Sequence, residues 1–65
     1  MEIYKIVTAL GTVFEVGKPG HADYQDSPVI EIHQIKEGEE AGKYKVLIGN
    51  NAAVIVSKAE EVYRR

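Results

Sequence analysis

The sequence predicts an all-β fold: a small, partly open barrel of five to six short strands, with one helical turn before the last short strand. Two observations predict it. Ile and Val supply 15 of the 65 residues against two Leu, in the clusters IYKIV (3–7), VFEV (13–16), VIEIHQI (29–35), YKVLI (44–48) and AAVIV (52–56). Branched side chains are stiff at χ1 and fit a pleated surface, which favours strands over helices. Gly11, Gly17, Pro19, Gly20, Pro28, Gly38, Gly42, Gly49 and the Asn50-Asn51 pair separate the clusters, and these are turn formers. At this length the chain reads as a single domain, residues 1–65.

The first strand is expected at Glu2–Ala9 and the second at Thr12–Val16. Their link, Ala9-Leu10-Gly11, suits a type I turn followed by a left-handed Gly in a bulge, because a two-residue primed turn would force Leu10 to positive φ. Residues 17–28, GKPGHADYQDSP, form a twelve-residue loop, longer than most connections in a small domain. The third strand follows at Val29–Ile35, with Ile30 and Ile32 alternating with Glu31 and His33. Residues 36–43, KEGEEAGK, read as an exposed hairpin tip, and strands at Tyr44–Ile48 and Ala52–Val56 flank a Gly49-Asn50-Asn51 turn.

Ser57-Lys58-Ala59-Glu60 has the spacing of a capping box, in which Ser and Glu side chains satisfy the first free amides of a helix. It predicts either a single turn through Lys58–Glu61 ending in a short strand Val62-Tyr63-Arg64, or a helix to the end of the sequence. The single turn is favoured. With that turn, AAVIVSKAEEVYRR resembles the end of the SH3-like and Sm-like barrels, and YKIVTALGTVFEVG resembles their first hairpin. The resemblance is one of strand rhythm and implies a five- to six-stranded SH3-like partly open barrel. Sm-like domains assemble edge to edge, so it also implies a ring or dimer.

Composition narrows the function. There is no Cys, hence no disulfide and no thiolate metal site, and two His are too few for a zinc site alone. A net charge of −2 lacks the basic footprint of a dedicated phosphate binder. No apolar run approaches the ~20 residues needed to span a membrane, and MEIYKIVTAL does not read as a signal peptide, so a cytoplasmic protein with no membrane partner is expected.

The strands carry more apolar residues than one face needs. A half-buried strand alternates, yet Leu47 opposes Tyr44, Val46 and Ile48, and Ile55 opposes Val54 and Val56. In the first strand, Tyr4 and Ile6 oppose Ile3 and Val7. A barrel this small has one interior, so Tyr4, Ile6, Leu47 and Ile55 are read either as covered by the long loop and tail or as an interface. Burying each aliphatic residue contributes about 1.5–3 kcal/mol, so four could match the whole ~5 kcal/mol that so small a domain commands.

Signals of chemistry are weaker. Gly17-Lys18-Pro19-Gly20-His21 is the nearest feature to an anion-binding loop, with Tyr24 placed for stacking on a base, so Lys18, Gly20, His21 and Tyr24 are the candidate ligand residues. It lacks the Walker spacing, and Pro19 removes an amide. His33 and Glu31 lie two apart on one strand face, in reach of each other but with no nucleophile. The Glu37, Glu39, Glu40 group lacks the ligand order of a calcium loop. Lys5, Lys43, Lys45, Lys58, Arg64 and Arg65, interleaved with Tyr4, Tyr44 and Tyr63, would make a nucleic-acid platform if folding gathered them. No catalytic residue, metal or cofactor is assigned.

The expected function is a non-enzymatic interaction module that self-associates, or binds a protein partner, through an apolar strand face or an exposed sheet edge. Such reduced domains are frequent among phage and mobile-element proteins, including inhibitors that occlude a host protein, which makes a phage-type inhibitor one expected role. The alternative is an Sm-like RNA binder, or an oligomer that captures a nucleotide with the 17–28 loop.

Overall fold

Residues 2–19, 27–49 and 52–65 are described by a computed structural model, and every regular element among them is a strand. These are β1 (Ile3–Thr8), β2 (Val13–Glu15), β3 (Val29–Gln34), β4 (Tyr44–Ile48), β5 (Ala52–Val56) and β6 (Ala59–Arg64). They form one antiparallel sheet in the order β2-β1-β3-β4-β5, with β6 also on β1, curled into an open half-barrel. The fourth and fifth strands occupy the expected residues and the first three fall within one residue of theirs, whereas β6 begins at Ala59, three residues before the expected Val62.

The first hairpin turns as its sequence requires. Gly11 donates its amide to the Thr8 carbonyl at 2.9 Å and adopts φ +85°. Only glycine takes that angle without a steric cost, so Leu10 is spared it. Thr8 then donates to Thr12 O at 2.9 Å, and its Oγ1 accepts from the Thr12 amide at 3.1 Å.

β1 is the hub. β6 pairs with it from Ile3 to Thr8, so β2 at Lys5–Val7 and β3 at Ile3 must share the opposite edge. The register pair Ile3 with Ile32, together with a parallel bridge between Val16 and Val29, therefore joins the β2-β1-β6 half to the β3-β4-β5 half. The buried core spans that seam: Ile3, Ile6 and Phe14 from one half meet Val29, Ile32, Val46, Ile48 and Val56 from the other.

Three bulges decide which side chains reach the core. Between Ile3 and Lys5, β1 advances two residues while β6 advances one, which makes Tyr4 the extra residue. Ile30 is the extra residue of β3 against β4, and Glu60 that of β6 against β1. A bulge turns two consecutive side chains to the same side and so breaks the period of two. The inward residues then come in pairs three apart: Ile3 and Ile6, Val29 and Ile32, and the partly buried Ala59 and Val62.

Three expectations are corrected by this geometry. Ile6, expected on a second apolar face, is fully buried in the core, because the bulge at Tyr4 shifts the parity of β1. Ile30, expected to share a face with Ile32, is 60% exposed. The capping-box turn does not form: β6 begins two residues after Ser57 and runs through all of Lys58–Glu61 except its first residue. Pairing with β1 satisfies the backbone there, and Ala59 and Val62 pack on the core, which outweighs a one-turn helix.

Candidate functional site

The convex side of the β3-β4-β5 half carries a mixed patch. Register places Glu31 beside Leu47 and Ala53, and His33 beside Lys45 and Ile55. His33 Nδ1 lies 3.9 Å from Glu31 Oε2, both side chains half-exposed, so the expected approach of this pair occurs in open solvent. Leu47 is half-buried, while Ile55 is 44% exposed at the sheet's rim. Beyond Ile55 the ladder stops, since among the described residues β5 pairs with β4 alone.

The convex side of the other half gathers the aromatic and basic residues of β1 and β6. Tyr4 and Tyr63 have ring centroids 6.2 Å apart, tilted by 55°. Lys5 Nζ stands 4.9 Å from the Tyr63 ring, and the Arg65 guanidinium 4.7 Å from that of Tyr4. These are cation–π distances. The Tyr63 hydroxyl donates to the Glu61 carboxylate, and this bond to an anion, with the repulsion an ionised phenol would meet there, raises its pKa. Tyr63 and Arg65 thus lie beside Tyr4, which stays half-buried.

Beside the Ile3–Ile32 pair that joins the two halves, a cleft of about 500 Å³ opens. Its walls include Tyr4, Ile30, Glu31, His33, Lys36, Arg64 and Arg65. Sequence reading grouped Tyr4 with both arginines but missed Ile30 and Lys36. The signal for Ile30 was present as the three-residue spacing of Val29 and Ile32, which a strict alternation rule overlooks.

Among the described residues, Lys18 and Lys43 do not line this cleft. At the neck of the long loop, Gly17 donates its amide to Val29 O at 2.9 Å and Lys18 to Glu15 O at 3.0 Å. With Pro19 lacking an amide, none of these three consecutive residues has a backbone donor left for an anion, although the Lys18 side chain is exposed. Gly20, His21 and Tyr24 lie outside the described residues. At the solvent-exposed tip Lys43 pairs with Glu40 at 2.8 Å. Among the described residues no group of three or more His, Asp or Glu is placed to hold a metal ion, and no helix is long and apolar enough to cross a membrane.

No family model matches the chain, and no curated protein or solved structure does.

Proposed function

We propose that this protein is a non-enzymatic interaction module that associates with a second copy of itself through the β5 edge. The observation that carries the proposal is the contrast among the three strands that end the sheet. β2 is three residues long, and β6 carries Glu60, Glu61 and Arg64, both standard ways of blunting an edge. β5 is Ala-Ala-Val-Ile-Val, with no charge and no proline. Among the described residues its outer edge pairs with no other strand, which makes it a template for one.

A second copy is the favoured occupant because the strand is compatible with itself. Antiparallel pairing about a two-fold axis through Val54 sets Ala53 against Ile55 of the second copy and Ala52 against its Val56. No like charges meet, and the exposed Ile55 gains a neighbour. The strand rhythm of SH3-like and Sm-like barrels supports the same reading, since Sm-like domains join edge to edge. A partner protein that adds a strand at this edge, as an inhibitor of a host protein would require, uses the same chemistry.

Sedimentation velocity over a hundredfold range of concentration tests this. The expected result is a concentration-dependent dimer that Ala53→Lys and Ile55→Glu each shift to monomer while circular dichroism stays unchanged. Ala53 is exposed, so its replacement does not touch the core. A wild-type chain that remains monomeric throughout, or a folded Ala53→Lys variant that still dimerises, overturns the proposal.

A further inference from the structure

We propose that the cleft between β1 and β3 binds a nucleotide, with the base against Tyr4 and Ile30 and the phosphates at Arg64, Arg65 and Lys36. The site is separate from the β5 edge and stands without it. Three features of the cleft converge on this ligand chemistry.

Charge comes first. The whole chain carries a net charge of −2, yet the cleft holds Lys36, Arg64 and Arg65 against Glu2 and Glu31, a local excess of one positive charge with His33 neutral. Glu31 is turned toward His33. Among the described residues, neither Lys36 nor either arginine forms an ion pair within 4.0 Å, so all three remain available to an anion.

Shape comes second. A phosphate alone needs only the cations. This cleft also presents the Tyr4 ring, with the Arg65 guanidinium 4.7 Å from its centroid, beside the apolar side chain of Ile30. Tyrosine and arginine planes both stack on bases, and base–aromatic stacking is indifferent to which base is present. A volume near 500 Å³ lies within the usual range for small-molecule sites.

Backbone geometry comes third. Tyr4 and Ile30 reach the cleft because each is the extra residue of a bulge, one on either wall. Bulges re-aim side chains and concentrate beside binding sites. Turning Ile30 outward leaves it 60% exposed, a loss to folding that a ring-bearing ligand would recover by covering it.

Calorimetric titration with ATP, and separately with inorganic triphosphate, tests the proposal. Saturable ATP binding is expected, weakened roughly tenfold by Arg64→Ala and by Lys36→Ala. Tyr4→Leu is expected to weaken ATP roughly tenfold while leaving triphosphate binding unchanged. Amide chemical shifts on adding ATP should move at Tyr4, Ile30–Lys36 and Arg64, and an unchanged melting temperature shows each variant folded. The proposal is overturned by absence of saturation at millimolar ATP, by an Arg64→Ala variant that binds like wild type, or by triphosphate binding as tightly as ATP.

Discussion

Tyr4 and Ile30 are each the extra residue of a β-bulge, one on β1 and one on β3, and both line the same cleft. Unbulged strands would have sent Ile30 inward with Ile32 and kept Ile3 and Ile6 on opposite faces. The two irregularities therefore do two things together. They bring Ile6 into the core and send an aromatic and an aliphatic side chain out to the seam between the sheet halves.

This division predicts unequal effects for two isoleucines two residues apart. Ile30→Thr keeps a branched β-carbon on an exposed site and should alter stability by less than about 0.5 kcal/mol. Ile32, 3% exposed, should cost about 2–5 kcal/mol when cut to Ala. Urea midpoints at constant m-value measure both. Equal losses would mean that Ile30 is packed inside.

Ser57 gives a second contrast. As a helix N-cap its loss would cost about 1 kcal/mol, but here it precedes a strand and is exposed. Ser57→Ala should therefore shift stability by no more than about 0.5 kcal/mol, while Val62→Ala, which thins the packing on the core, costs more. Thermal melts of the two variants settle the order.

The capping box and the bulges mark where the sequence was legible and where it was not. Branched runs and glycine turns are local signals, and they placed β4 and β5 to the residue and put Gly11 in its left-handed turn. A bulge is set by register against another strand, which no local pattern shows. Ala59 and Val62 are three apart, a spacing shared by a helix face and a bulged strand, so the competing edge of β1 decides between them. The cleft was hidden for the same reason: Lys36 and Arg64 meet only once β3 and β6 flank opposite edges of β1.

Gly11 isolates a backbone cost. An added β-carbon there meets nothing within 4 Å, so any penalty arises from φ +85° alone. Gly11→Ala should destabilise by about 1–2 kcal/mol, and Gly11→Asn by less, since Asn tolerates the left-handed region. Denaturant titration of the pair should return that order; an alanine variant as stable as wild type would contradict the turn.

The Tyr63–Glu61 bond predicts a pH dependence whose sign follows from the charges. Ionising Tyr63 would replace a hydrogen bond to the Glu61 carboxylate with repulsion between two anions, so the folded protein holds this phenol protonated above the ordinary value of about 10. A group whose pKa is raised by folding favours the fold fully below its unfolded pKa. That contribution is lost as pH rises through the folded pKa. Near-ultraviolet titration should therefore show a Tyr63 step above the ordinary value. That step should vanish in Tyr63→Phe and move down in Glu61→Gln, where the neutral amide no longer opposes a phenolate. Superimposable curves for Glu61→Gln and wild type would show that the carboxylate does not govern Tyr63, and the alkaline loss of stability would then need another source.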